Sequence, residues 1–233
     1  MGLYDREYIS NHAQDESQEQ TQAKSSLGLF IKQTYQLFAA SLLAATAGAY
    51  VGMGIAEAIS NWFFGLIILQ FGLLFGLYAV KKKAGINLMV LFAFTFISGL
   101  TLTPLLTNIL GMAGGASIVA NAFMLTTVAF GGLSMFAMNT KRDFSVMGKM
   151  LFITLIVVVV ASLMNIFFQS SIMQLVIASI SAVLFSAFIL YDTQNIINGR
   201  YETPIEGAIA LYLDFLNLFV ALLQILGIFG RDE

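Results

Sequence analysis

The chain alternates long apolar runs with short polar interruptions. Seven runs, at about 30–54, 61–80, 86–110, 116–138, 148–168, 172–197 and 207–228, approach or exceed the ~20 residues that a helix needs to cross a bilayer. None shows the two-residue alternation of a membrane strand, and all are longer than such a strand, so helices are predicted throughout. The interruptions carry turn chemistry: Lys81-Lys82-Lys83 with Ala84-Gly85, the glycine-rich 111–115, Lys141-Arg142-Asp143, and Gly199 with Pro204. The Gln169-Ser170-Ser171 turn is the weakest of these, and six spans is the alternative count there. Glycines four apart in GAYVG (48–52) and GLLFG (72–76) predict close helix contacts of the kind found in lipid.

The start of the chain reads differently. Residues 1–28 are polar and acid-rich, with Asp5, Glu7, Asp15, Glu16 and Glu19 against Arg6 and Lys24. That composition predicts a disordered cytoplasmic tail, followed by a single seven-helix transmembrane domain over 29–233. The tail lacks the basic start and apolar core of a secretory signal.

Composition agrees with lipid as the main solvent. The 233 residues are 58% hydrophobic and 10% charged, with mean hydropathy +0.85, whereas soluble domains are about 25% charged. Orientation follows from the basic residues. Arg6, Lys24, Lys32, Lys81, Lys82, Lys83, Lys141, Arg142, Lys149 and Arg200 fall on the N-terminal side of a seven-span chain, and only Arg231 falls on the other. The excess predicts a cytoplasmic N-terminus and an outward C-terminus.

Several chemistries are excluded. A net charge of −2 without a basic patch gives no nucleic-acid partner. There is no cysteine, hence no disulfide, thiolate metal site or cysteine nucleophile. The one histidine, His12, lies in the tail, so a rhomboid-type serine protease is out. The last span holds no lysine for a retinal Schiff base, and no phosphate-binding GxxxxGK[ST] loop exists. The expectation is a non-enzyme without a cofactor.

Two residues resist a bland reading. Asp192 and Asp214 sit in the last two spans, where an ionised aspartate costs at least ~2.5–3.5 kcal/mol and usually faces a bundle interior or a wet cavity. Each lies 11 residues from Thr203, the centre of the loop between them. Equal distance from the turn of a helical hairpin predicts equal depth, about 8–12 Å inside each helix end. Asn195 and Asn217 follow at i+3, on the same helix faces. The faces, if they meet, make a cluster of two carboxylates and two amides, with Tyr191, Gln194 and Tyr212 as polar neighbours. Two adjacent carboxylates cannot both ionise cheaply in a low dielectric. They would share a proton or hold a hard cation; calcium suits carboxylate and amide oxygens. The alternative is an acid–acid hydrogen bond that only clamps two helices. Tyr191-Asp192 also matches half of the presenilin-type protease signature. The other half fails, because LYL rather than a glycine pair precedes Asp214, and neither Pro104 nor Pro204 fits the third motif.

The segments LYDTQNII (190–197), ALYLDFLNLFVALLQIL (210–226), ISGLTLTPLL (97–106) and MNTKRDFSVMGKML (138–151) resemble the Bax inhibitor family, that of the transmembrane Bax-inhibitor-motif proteins, in its bacterial branch. The resemblance spans about residues 30–229. It implies an all-α integral membrane protein in which the last of seven helices is central and wrapped by the other six. It implies a pH-sensitive calcium leak across a bacterial inner membrane, with Asp192 and Asp214 as proton sensor and transient calcium site. It also implies an alternative, a non-conducting regulator that binds a membrane protease or another membrane protein. Some members pair a span-two arginine with the acidic sensor, but 61–80 contains no basic residue. Lys141, Arg142 and Asp143 are candidates for the cytoplasmic mouth, and Glu57, in the first outward turn, for the outer entrance.

Overall fold

The computed structural model describes residues 3–230, and the side chains of Gln22 and of residues 24–230. The elements are α1 (Leu3–Gly54), α2 (Ala56–Asn61), α3 (Phe63–Val80), α4 (Ile86–Thr101), α5 (Thr103–Leu110), α6 (Gly115–Asn139), a 3₁₀ turn at Ser145–Met147, α7 (Gly148–Phe168), α8 (Ser171–Ile197) and α9 (Pro204–Phe229). Among the described residues there is no strand, and seven segments are long and apolar enough to cross a membrane. Their bounds follow the apolar runs closely. The weak turn is real: Gln169 ends α7 in a left-handed conformation (φ 50°), and the Ser170 hydroxyl caps α8 by accepting from the Met173 N–H.

The first helix is drawn from Leu3, and the side chains of residues 1–21 and 23, on which the expected tail falls, lie outside the described residues. Two differences from the sequence reading have local causes. The third span is split into α4 and α5, because Pro104 has no N–H to bond back to Leu100. The last span begins at Pro204 rather than 207. Thr203 and Glu206 form a reciprocal capping box there, with Pro204 at the first helical position.

Which helix is central is decided by burial. Half of the most apolar stretch of α9 is buried, against 6% for α3 and 11% for α7. The helix α9 packs closely on α1, α4, α6 and α8. One side of it carries Phe215, which meets Phe38 of α1 and Phe123 and Phe130 of α6 at centroid distances of 5.6–6.0 Å. A second side carries Tyr212, edge-on to Phe94 of α4. Outward faces are greasy, with Phe64, Phe75, Phe152 and Phe167 all exposed, as lipid contact requires.

The two glycine pairs behave differently. A side chain at Gly48 would strike the Phe96 carbonyl, one at Gly52 the Thr103 hydroxyl, and one at Gly99 the Ala45 carbonyl. The α1–α4 seam is therefore closed by glycines. A side chain at Gly72 or Gly76 would meet nothing within 4 Å, so these two glycines close no helix seam, although Leu73 and Leu74 between them pack on the core.

Candidate functional site

The α8–α9 hairpin builds the site. Gly199, with φ +64°, reverses the chain after α8, and the loop then turns Tyr201 back towards the helices. Asp192 of α8 and Asp214 of α9 are both buried, at 6% and 3% exposure, and their carboxyl groups adjoin within hydrogen-bonding reach. The Tyr201 hydroxyl donates to Asp192 Oδ1 at 2.7 Å, and the Asn195 amide donates to the same oxygen at 3.4 Å. Asp214 Oδ2 is buried without a partner among the described residues. One acid is thus held by a phenol and an amide, and the other keeps an unused oxygen.

The hairpin symmetry brings the pair together, though the helix ends are unequal. Asp192 lies five residues before the end of α8 and Asp214 ten after the start of α9, about 7.5 and 15 Å along the respective axes. The expected 8–12 Å for each fails, because the loop folds back beside α8 and α9 starts earlier than its apolar run. The expected amide pair is halved as well. Asn195 joins the acids, whereas Asn217 donates to its own helix at the Leu213 carbonyl (2.7 Å) and lines the adjoining cavity.

The other polar candidates separate into distinct roles. Tyr191 packs on Gly148 at the start of α7 and against Phe188, away from the acids. Tyr212 is fully buried on the α4 side, bonded to the Ser98 hydroxyl and to the Thr95 carbonyl (3.4 Å). Gln194 ties down the α6–α7 loop: its amide donates to the Arg142 carbonyl (2.7 Å), and its oxygen accepts from the Phe144 N–H (2.7 Å). In that loop the side chains of Lys141 and Arg142 are exposed, and among the described residues Asp143 alone of the three makes an ion pair, with Arg200 at 4.0 Å. Asp143 is held below the ordinary carboxylate value mainly by the Ser145 hydroxyl and N–H, with a smaller pull from Arg200. Arg200 also donates to the Asn195 oxygen (3.3 Å), so a chain of contacts runs from Asp143 to Asp192. Glu57 is exposed in the first turn of α2 and lines none of the cavities at the acidic pair.

Four functional candidates escape the sequence reading. Tyr201 is one; burial, then the charge of Asp192, raises its phenol well above the usual value, so it remains a donor. Arg200 is the second. Lys81 and Glu206 are the third and fourth, joined at the α8–α9 loop end of the bundle in an ion pair of 2.5 Å that Glu202 extends to Lys81 (3.2 Å) and Lys82 (2.9 Å). Lys81 is raised above its ordinary value first by its hydrogen bond to Glu206, and Glu202 is lowered first by Lys82. The capping signature Thr203-x-x-Glu206 was available to flag the last of these. A span-two residue one position past the expected end therefore does pair with an acid of the last helix, but with Glu206 rather than with the buried aspartates.

A cavity of about 630 Å³ opens on the acidic pair. Asp192, Asp214 and Tyr201 form its polar end, and it continues between α7, α8 and α9 past Ser162 and Asn217 to Gln224. Tyr78 of α3 also lines it. Among the described residues, no three His, Cys, Asp or Glu side chains converge. The acidic donors at this end of the cavity are therefore two carboxyl groups.

The fold and site define a multi-pass helical membrane protein with two acids at the end of an intramembrane cavity. The family described as "Inhibitor of apoptosis-promoting Bax1" matches residues 27–231, and the chain belongs to that family. An uncharacterised protein of Campylobacter jejuni is 60% identical over 99% of both chains. An uncharacterised membrane protein of Vibrio cholerae is 38% identical over 87% of this chain and 91% of its own. A Golgi anti-apoptotic protein of vaccinia virus is 37% identical over 69% of this chain and 66% of its own.

Proposed function

We propose that the protein is a pH-sensitive calcium leak pathway of a bacterial inner membrane, with Asp192 and Asp214 as proton sensor and cation site. The observation that carries this reading is the pair itself: two buried carboxyl groups adjoin at the end of a cavity, and one oxygen has no partner. A neutral amide would clamp two helices with less desolvation. In the ionised state the pair attracts a divalent cation. Sharing a proton, it carries half the charge, attracts the cation less and holds α8 and α9 in a different packing. The basic residues on one side orient the N-terminus to the cytoplasm and the C-terminus outwards.

Inner closure belongs to the salt-bridged rim, Lys81 with Glu206 and Glu202, together with Tyr201 and the Gln194-anchored loop. The test is calcium entry into liposomes containing the purified full chain, beside a variant that lacks residues 1–23. Flux in both supports a conduit. No flux in either, with co-purification of a membrane partner that depends on the tail, supports the regulator instead.

A further inference from the structure

The end of the cavity remote from the acids has a composition of its own. A second cavity of about 430 Å³ shares Ser162, Ile166, Ile177 and Gln224 with the first, and adds Asn165, Gln169 and Gln174. A third, of about 160 Å³, also touches Gln174 and Gln224. Gln224 is therefore where three spaces meet. On α9 it continues the stripe of Asp214, Asn217 and Ala221, all of which line the first cavity, at the i, i+3, i+7, i+10 spacing of one helical face.

The amides of Gln174 and Gln224 make no hydrogen bond within the chain among the described residues, whereas Asn165 accepts from the Ser170 N–H at 3.1 Å. Gln174 and Gln224 are partly exposed, and amides unsatisfied within the chain at such positions on a membrane helix are satisfied by water. A space of 430 Å³ has room for on the order of ten waters, and the amides supply the polar partners that buried water needs. The C-terminal end of α7 and the N-terminal end of α8 meet there, so their opposed dipoles largely cancel and the local field is close to neutral.

We propose that Gln174 and Gln224 form the hydrated neck of a half-channel that joins the membrane face opposite the basic residues to Asp192 and Asp214. A cation traverses it with most of its water shell in place and meets charge only at the aspartates. Gln224 sets permeation, and the carboxylates set the response to pH. The ion-carrying part rests on the leak reading above; the hydration does not.

The native chain has no cysteine, which makes single-cysteine variants a clean probe. Gln224→Cys and Asn217→Cys are compared with exposed, lipid-facing residues at matched depth. Gln224 lies five residues from the end of α9 and Val176 five from the start of α8; Asn217 and Val183 each lie twelve from the same ends. A membrane-impermeant maleimide added to each side of oriented vesicles should label positions 224 and 217 about tenfold faster than 176 and 183, from the side opposite the lysines, because thiolates form only in water. Gln224→Leu should lower calcium flux about tenfold by dewetting the neck, while Gln224→Asn restores it. Labelling at 224 no faster than at 176 overturns the proposal even if the wild type conducts. Rapid labelling with undiminished flux in Gln224→Leu overturns the permeation role. A wild type without flux defeats the leak reading, and the labelling contrast then decides hydration alone.

Discussion

Two acids of the last helix, eight residues apart, have opposite surroundings. Glu206 is satisfied on every side: Lys81 pairs with one oxygen, and the Glu202 and Thr203 N–H groups donate to the other at 2.8 and 3.3 Å. Asp214 is more deeply buried, adjoins a second acid and keeps an oxygen without a partner. Both are buried acids, yet Glu206 caps and anchors the start of a helix, whereas Asp214 has only a second acid beside it. The residue whose burial the fold does not offset is the one to assign to function.

That contrast can be broken by exchange of effects. Glu206→Ala removes the capping box and strands Lys81. Stability in detergent is expected to fall by about 2 kcal/mol, the sum of a lost cap and a lost partly buried hydrogen bond, with the pH response of flux intact. A Glu206→Ala protein as stable as the wild type would contradict the anchor role. Tyr201→Phe removes the 2.7 Å bond to Asp192. It is expected to move the midpoint of the pH–flux curve by about one unit, the equivalent of ~1.4 kcal/mol, and an unmoved midpoint would detach the loop from the sensor. Asp214→Asn is expected to leave stability within about 1 kcal/mol of wild type or to raise it, because a buried acid becomes a neutral amide.

The smallest expected effect is in the pH dependence of the rim. Lys81 is raised above 10.5, so its contribution is full below 10.5 and is lost as pH rises through the folded value. Glu202 is lowered below 4.5, so its contribution is present above 4.5 and is lost as pH falls through the folded value. Between about pH 5 and 10 neither Lys81 nor Glu202 therefore titrates, and unfolding measured across that window should show no step that Lys81→Met or Glu202→Gln removes.

Much of this was legible in the residues. The spans were, because a bilayer demands uninterrupted apolar length, and the acidic pair was, because a hairpin equates positions at equal distance from its turn. The depth estimate failed because the loop is not a symmetric bend: Gly199 reverses the chain and α9 begins at its capping box, three residues before the apolar run. Asn217 failed because an i+3 relation places a side chain on a face but does not choose its partner, and its own helix offered the Leu213 carbonyl. Tyr201 and Arg200 were hidden because loop side chains acquire partners only when the loop folds back. Gly72 and Gly76 show the reverse, a glycine spacing that closes no seam among the described residues.

The central claim is that Asp192 and Asp214 sense protons on behalf of a cation path. Calcium flux into liposomes, measured from acid to alkaline pH for the wild type and for Asp192→Asn combined with Asp214→Asn, tests it most directly. A flux that varies with pH in the wild type and is flat in the double variant is the expected result. An unchanged pH profile in a folded double variant would contradict it.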